Sequence, residues 1–196
     1  MSERPGVGGG EGLGEGGVPD PSPVRPLSEP PPGARVLVLA PHPDDESVGP
    51  GGVLAAHVAR GDAVSVLFLT TGVHGDPDGG HDPAAYVARR RAEAEAACDV
   101  LGLGAREYWD YPDNMHVSPG DLAAVVGQLA DVLRRDAPDL VYAPHPGEGH
   151  RDHAVVAVAA ARAHAQARCP AALYGYEVWS PIQAPDVVVD VTAGYA

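Results

Sequence analysis

From Arg35 onward the chain alternates short runs of branched aliphatic residues with longer alanine-rich segments of helical period, and this alternation limits its fold more than any other feature. Arg35 to Ala40 reads as a strand buried on both faces, Gly51 to Arg60 as a helix closed by Gly61, and Ala63 to Thr71 as a second strand. A long helix follows over Pro83 to Gly102, with Arg90, Ala94, Ala97 and Leu101 on one stripe, then a more polar strand over Ala105 to Tyr111. Ser118 to Asp136 makes a third helix with Pro119 suited to its first turn, Asp139 to Ala143 a fourth strand, and Asp152 to Arg168 a fourth helix. Two last strands are expected over Ala171 to Trp179 and Asp186 to Thr192.

The order βαβαβαβαββ predicts an α/β fold, Rossmann-like, with a mostly parallel sheet and helices on both faces, because right-handed crossovers leave few alternatives. A strand order of 3-2-1-4 onward is the first expectation. Ligands of such sheets bind beyond the carboxyl ends of the strands where the order reverses, here between strands one and four.

Residues 1–33 differ in character. Of the first 32 residues, 16 are Gly or Pro, and the few apolar side chains show no period, so a disordered tail is expected before a domain spanning 34–196. A chain of 196 residues buries a sufficient core without staples, and Cys98 and Cys169 form no CxxC pair that would indicate a disulfide framework or thiolate site. With 13 Lys+Arg against 27 Asp+Glu, a net charge of -14, the composition argues against nucleic-acid or anionic-membrane partners. No apolar run approaches the roughly 20 residues of a bilayer span. No basic region followed by an apolar segment opens the chain, so the cytoplasm is the expected compartment, a small molecule the expected partner, and a homo-oligomer is compatible with both.

Two polar clusters fall where the topology places a ligand. The first, His42-Pro43-Asp44-Asp45-Glu46, crowds four ionisable groups directly after the first strand, and a divalent cation is the simplest relief for that repulsion. The second runs from His145 to His153 after the fourth strand. Catalytic zinc takes three N or O ligands and keeps a position open. His42 and Asp45 offer two ligands from one tight turn; the third comes from His150 or His153, one helical turn apart, and spacing alone does not choose between them.

The pair of motifs, His42-Pro43-Asp44-Asp45-Glu46 and His150-Arg151-Asp152-His153, resembles the PIG-L/LmbE family of zinc-dependent N-acetylglucosaminyl deacetylases, from about Arg35 to the end of the chain. The resemblance implies zinc, or another divalent ion, on His42, Asp45 and His153, with Asp44 as general base and a protonated His150 stabilising the tetrahedral intermediate. Asp152 is then expected to orient His150. Arg90, spaced Arg-x-x-Glu with Glu93, resembles the family's arginine that contacts substrate hydroxyls, and Asp113 its sugar-binding aspartate. The expected activity is removal of the N-acetyl group from an N-acetylglucosamine-containing small molecule. The rival from another class is a catalytically silent sugar or nucleotide-sugar binding domain on the same fold.

Among the remaining histidines, His57 and His164 are expected as packing or surface residues and His145 as the closure of a turn, while His74, His81 and His116 fall in loops with no assigned role. The chain departs from the family pattern at Pro50 and at Val73-His74, where an acidic residue is usual. The family also continues past the last strand with a lysine-bearing helix, so the domain is expected to be truncated at its C-terminal end, exposing one sheet face.

Overall fold

The computed structural model describes residues 25–26, 32–77, 79–115 and 118–192; most of the tail expected over 1–33, and His116, lie outside them. Five strands, β1 Arg35–Ala40, β2 Ala63–Thr70, β3 Arg106–Tyr111, β4 Leu140–Pro144 and β5 Ala172–Tyr176, form one parallel sheet in the order β3-β2-β1-β4-β5. This is the expected 3-2-1-4 order continued to a fifth strand. β1 pairs with β2 on one side and with β4 on the other, Val36 lying opposite both Val64 and Leu140.

The helices are α1 Asp45–Val48, α2 Gly51–Ala59, α3 Pro83–Leu101, α4 Pro119–Asp136 and α5 Arg151–Ala167. Successive strand residues face opposite layers. Leu37, Leu39, Leu67, Leu69, Val141 and Ala143 meet α4 and α5 through Val125, Leu129, Val156 and Ala160. Val36, Val38, Val66, Phe68 and Tyr142 meet α2 and α3 through Leu54, Ala94 and Cys98. The central strands β1, β2 and β4 are apolar at nearly every position because both faces are covered, whereas the edge strand β3 is polar and only half-buried. Pro119 lies in the first turn of α4 and Gly102 ends α3 in the left-handed conformation, as their sequence positions predict, and Ser118 caps α4 through a reciprocal box with Asp121. Among the described residues, no helix is long and apolar enough to cross a membrane.

One strand expectation fails. Of Asp186 to Thr192, only Val187–Val188 pairs, in a two-residue parallel bridge with Arg25–Pro26 that is separate from the main sheet. Its alternation is real: Val187, Val189 and Val191 are half-buried while Val188 and Asp190 are exposed, and Val191 packs on Gly52 at the start of α2. The segment packs against the start of α2 and pairs with no strand of the five-stranded sheet.

At the amino ends of the strands, Asp62 is a buried hub. It accepts hydrogen bonds from the Gly33 and Ala34 amides at 3.0 Å, pairs with His57 Nδ1 at 2.7 Å, and holds Arg60, while His57 Nε2 reaches the Tyr142 hydroxyl at 3.0 Å. His57 is thus a packing residue, and His164, bonded through Nε2 to the Ala171 carbonyl at 2.7 Å, ties the end of α5 to the turn before β5. Replacing Asp62 by Ala strands several buried donors at once and is expected to cost about 3–5 kcal/mol in urea unfolding. A loss under 1 kcal/mol would show that the hub is dispensable.

Candidate metal centre and substrate pocket

β1 delivers its turn directly into the site. The Thr70 amide and hydroxyl hold the Pro41 carbonyl at 2.9 and 2.8 Å, and the Asp45 carboxylate turns back to accept the His42 amide at 2.8 Å. Asp44 carries the turn at φ 140°, a conformation that L side chains rarely adopt and that costs on the order of 1–3 kcal/mol. Two groups hold it there. The buried Glu46 carboxylate accepts the Asp44 amide at 3.0 Å, and Arg90 Nη2 donates to the Pro43 carbonyl and pairs with Asp44 Oδ2 at 2.9 Å.

The second half begins where β4 ends. His150 caps α5, its Nδ1 accepting the Asp152 amide at 3.2 Å, and His153 follows one turn later, fully buried. The Asp152 carboxylate faces His42, at 2.9 Å from Nε2, and also accepts the amides of Asn114 at 2.9 Å and Met115 at 2.6 Å. The expected carboxylate contact from Asp152 to His150 is therefore replaced by one to His42. The cap explains the difference: the His150 ring folds over the first turn of α5, so the Asp152 main chain meets it and the Asp152 side chain points towards β1.

Across the crevice, Asp45 Oδ2 lies 3.2 Å from His42 Nδ1 and 3.2 Å from His153 Nε2. The second contact is close but poorly aligned, and both His153 ring nitrogens are buried without a hydrogen-bond partner. His42, His150 and His153 also bring nitrogen atoms within 4.8 Å of one another. Charge follows the same pattern. Burial disfavours a charged His42, but the Asp152 and Asp45 carboxylates outweigh it and raise its pKa to about 9. Asp45 is held well below the usual carboxylate range, the His153 and His42 rings overcoming its burial. Asp44 moves upward through burial, with Arg90 pulling the other way, and His150 moves downward through burial and the nearby charge of His42.

His42, Asp44, Asp45 and His150 form one end of a cavity of about 570 Å³. Gly72, His74, Gly75 and Arg90 make one wall, Asp113 and Asn114 a second, and Val48, Val178 and Trp179 a third. Asp113 is buried and its carboxylate is engaged by the loop: it accepts the Gly72 amide at 2.8 Å, the Thr71 hydroxyl at 3.1 Å and the His74 amide at 2.8 Å. His74 Nδ1 meets Asn114 Nδ2 at 3.1 Å.

The GlcNAc-PI de-N-acetylase family, PIG-L, matches residues 37–164. The chain belongs to this family. It is 32% identical over 159 residues to 1D-myo-inositol 2-acetamido-2-deoxy-alpha-D-glucopyranoside deacetylase of Kineococcus radiotolerans, a match covering 66% of this chain and 44% of that protein. The chain thus spans a little under half the length of this curated relative. N,N'-diacetylchitobiose deacetylase from Pyrococcus horikoshii superimposes with a TM-score of 0.71 at 26% identity, covering 83% of this chain and 66% of that one. GalB, the 4-carboxy-2-hydroxymuconate hydratase of Pseudomonas putida KT2440, superimposes equally well, with a TM-score of 0.70 at 26% identity over 83% of this chain and 74% of that one.

In this PIG-L chain His42, Asp44, Asp45 and His150 line the cavity together with Arg90 and Asp113, while Asp152 and His153 are buried behind it; Arg90 turns to Asp44 and Asp113 to its own loop. His145 closes a turn: Nδ1 accepts the Gly147 amide, and Nε2 donates to the Ser180 carbonyl at 2.7 Å. His81 pairs with Asp76 at 2.9 Å, away from the cavity lining. Three contributors escaped the motif reading: Glu148, Asn114 and Trp179. Their partners or walls come from segments some 30 to 40 residues away in sequence, with no local pattern to mark them.

Proposed function

We propose that this chain is a zinc-dependent N-deacetylase acting on a small molecule that contains N-acetylglucosamine. The observation that carries the reading is the spacing around Asp45 Oδ2. Zinc bonds of about 2.0–2.1 Å set tetrahedral ligand atoms about 3.3 Å apart, and Asp45 Oδ2 stands 3.2 Å from both His42 Nδ1 and His153 Nε2. His42, Asp45 and His153 are therefore the assigned ligands. His150 fits that role poorly, since its Nδ1 lone pair is taken by the Asp152 amide and the neutral ring then carries its proton on Nε2. Asp152 on the far nitrogen of His42 supports the ligand in the manner of a carboxylate–histidine pair.

A bound zinc ion supplies Lewis acidity, acidifying water and polarising an amide carbonyl. The residues of the chain do the rest. Asp44, next to the ligand and lining the cavity, takes a proton from the attacking water and returns it to the leaving amine, so that amide and water become amine and acetate. Arg90 holds that carboxylate in place. His150, as a neutral Nε2–H donor in place of the expected cation, stabilises the developing oxyanion. Arg90, Asp113 and the Gly72–Gly75 loop form the wall against which the sugar is held.

The test is a panel: N-acetylglucosamine and its conjugates to inositol, to a second amino sugar and to a lipid, assayed for free amine and acetate with the zinc-loaded chain. Stoichiometric zinc without release from any of them would favour the silent binding domain and sink the enzyme assignment.

A further inference from the structure

Glu148 has no place in the chemistry above, yet its side chain is completely buried beside the metal ligands. It accepts the main-chain amides of three successive residues, Val178 at 2.6 Å, Trp179 at 3.1 Å and Ser180 at 3.3 Å. Such a nest of amides stabilises a buried carboxylate without cancelling its charge. Its other face looks at His153, whose Nδ1 is 3.6 Å from Glu148 Oε2 and has no hydrogen-bond partner.

That unpaired nitrogen matters once His153 ligates through Nε2. A neutral imidazole bound by Nε2 carries its proton on Nδ1, and a buried N–H without an acceptor is costly. A contraction of about 0.7 Å brings Glu148 Oε2 into charge-assisted hydrogen-bond range. At the other end, the same carboxylate fixes the backbone that carries Val178 and Trp179 into the cavity wall, where Trp179 stands 73% exposed.

We propose that Glu148 is a positioning residue that orients His153 for metal binding and ties it to the Val178–Trp179 wall of the substrate pocket. The inference rests on the zinc assignment above, and its test reads metal rather than turnover. Zinc affinity is measured by competition with a chromophoric chelator on the full chain and on Glu148→Gln, Glu148→Asp and Trp179→Gly, each checked for cooperative thermal unfolding. Glu148→Gln should weaken zinc about 10- to 100-fold, as loss of a carboxylate behind a ligating histidine does. Glu148→Asp should recover part of that loss, and Trp179→Gly, which alters the wall but keeps the carboxylate, should stay within about threefold of wild type.

Equal zinc affinity in wild type and folded Glu148→Gln overturns the inference, as do equal losses in Glu148→Gln and Trp179→Gly, which would make the effect one of a loosened wall. If Glu148→Gln does not fold, a long-range ¹H–¹⁵N spectrum of the zinc-loaded wild type decides: a protonated Nδ1 on His153 is the expected result, and ligation through Nδ1 overturns it. A wild-type chain that takes up no zinc removes the metal assignment itself, and this inference with it.

Discussion

Asp44→Asn is expected to retain a full complement of zinc while kcat falls about 100- to 10,000-fold, the usual range for loss of a general acid–base group. The substitution is nearly isosteric, and asparagine tolerates the positive φ of this turn better than most residues. Its carbonyl oxygen can still receive Arg90 Nη2, so the pocket should keep its shape. What disappears is the capacity to hold a proton between water and amine. Metal content by plasma mass spectrometry and rate by amine release settle the matter together; a variant that keeps a tenth of wild-type kcat would require another base.

His153→Ala should do the reverse and remove the metal. The ring is fully buried and both nitrogens lack hydrogen bonds, in keeping with the proposed coordination. Zinc at 100 times its dissociation constant should stabilise the wild type by about 2.7 kcal/mol through linkage. In His153→Ala that zinc-dependent rise in Tm should vanish and turnover fall to background. If zinc still raises the Tm of His153→Ala as it does in wild type, His150 would become the third ligand beside His42 and Asp45. The two variants separate neighbouring duties: one loses chemistry with the ion in place, the other loses the ion.

The strand order was legible because a strand such as Val36-Leu37-Val38-Leu39, apolar at every position, is covered on both sides, and alternating helices then restrict how it is wound. Val187 to Val191 misled for a definable reason. Period-two burial reports an extended, half-covered segment and carries no information about a partner strand. In the site, the positions of His42, Asp45 and His153 were readable because each sits within a few residues of a strand or helix end. The direction of Asp152 was not, since it depends on a cap at His150 that places main chain and side chain on opposite sides. Glu148 and Asp113 were less visible still as anchors. The atoms they hold are mostly backbone amides, which look the same in every sequence.

That dependence on backbone donors bears on how such a protein diversifies. The side chains proposed to hold the ion are packed tightly, Asp45 and His153 buried and His42 bonded to Asp45 and Asp152, so they tolerate little change. The loops facing a ligand are fastened by Asp113 and Glu148 largely through main-chain amides, so residues such as His74 and Trp179 can be exchanged without unfastening them. Substrate range and reactive centre can then drift at different rates. A scaffold whose structural neighbours include both a deacetylase and a hydratase is in keeping with that uncoupling.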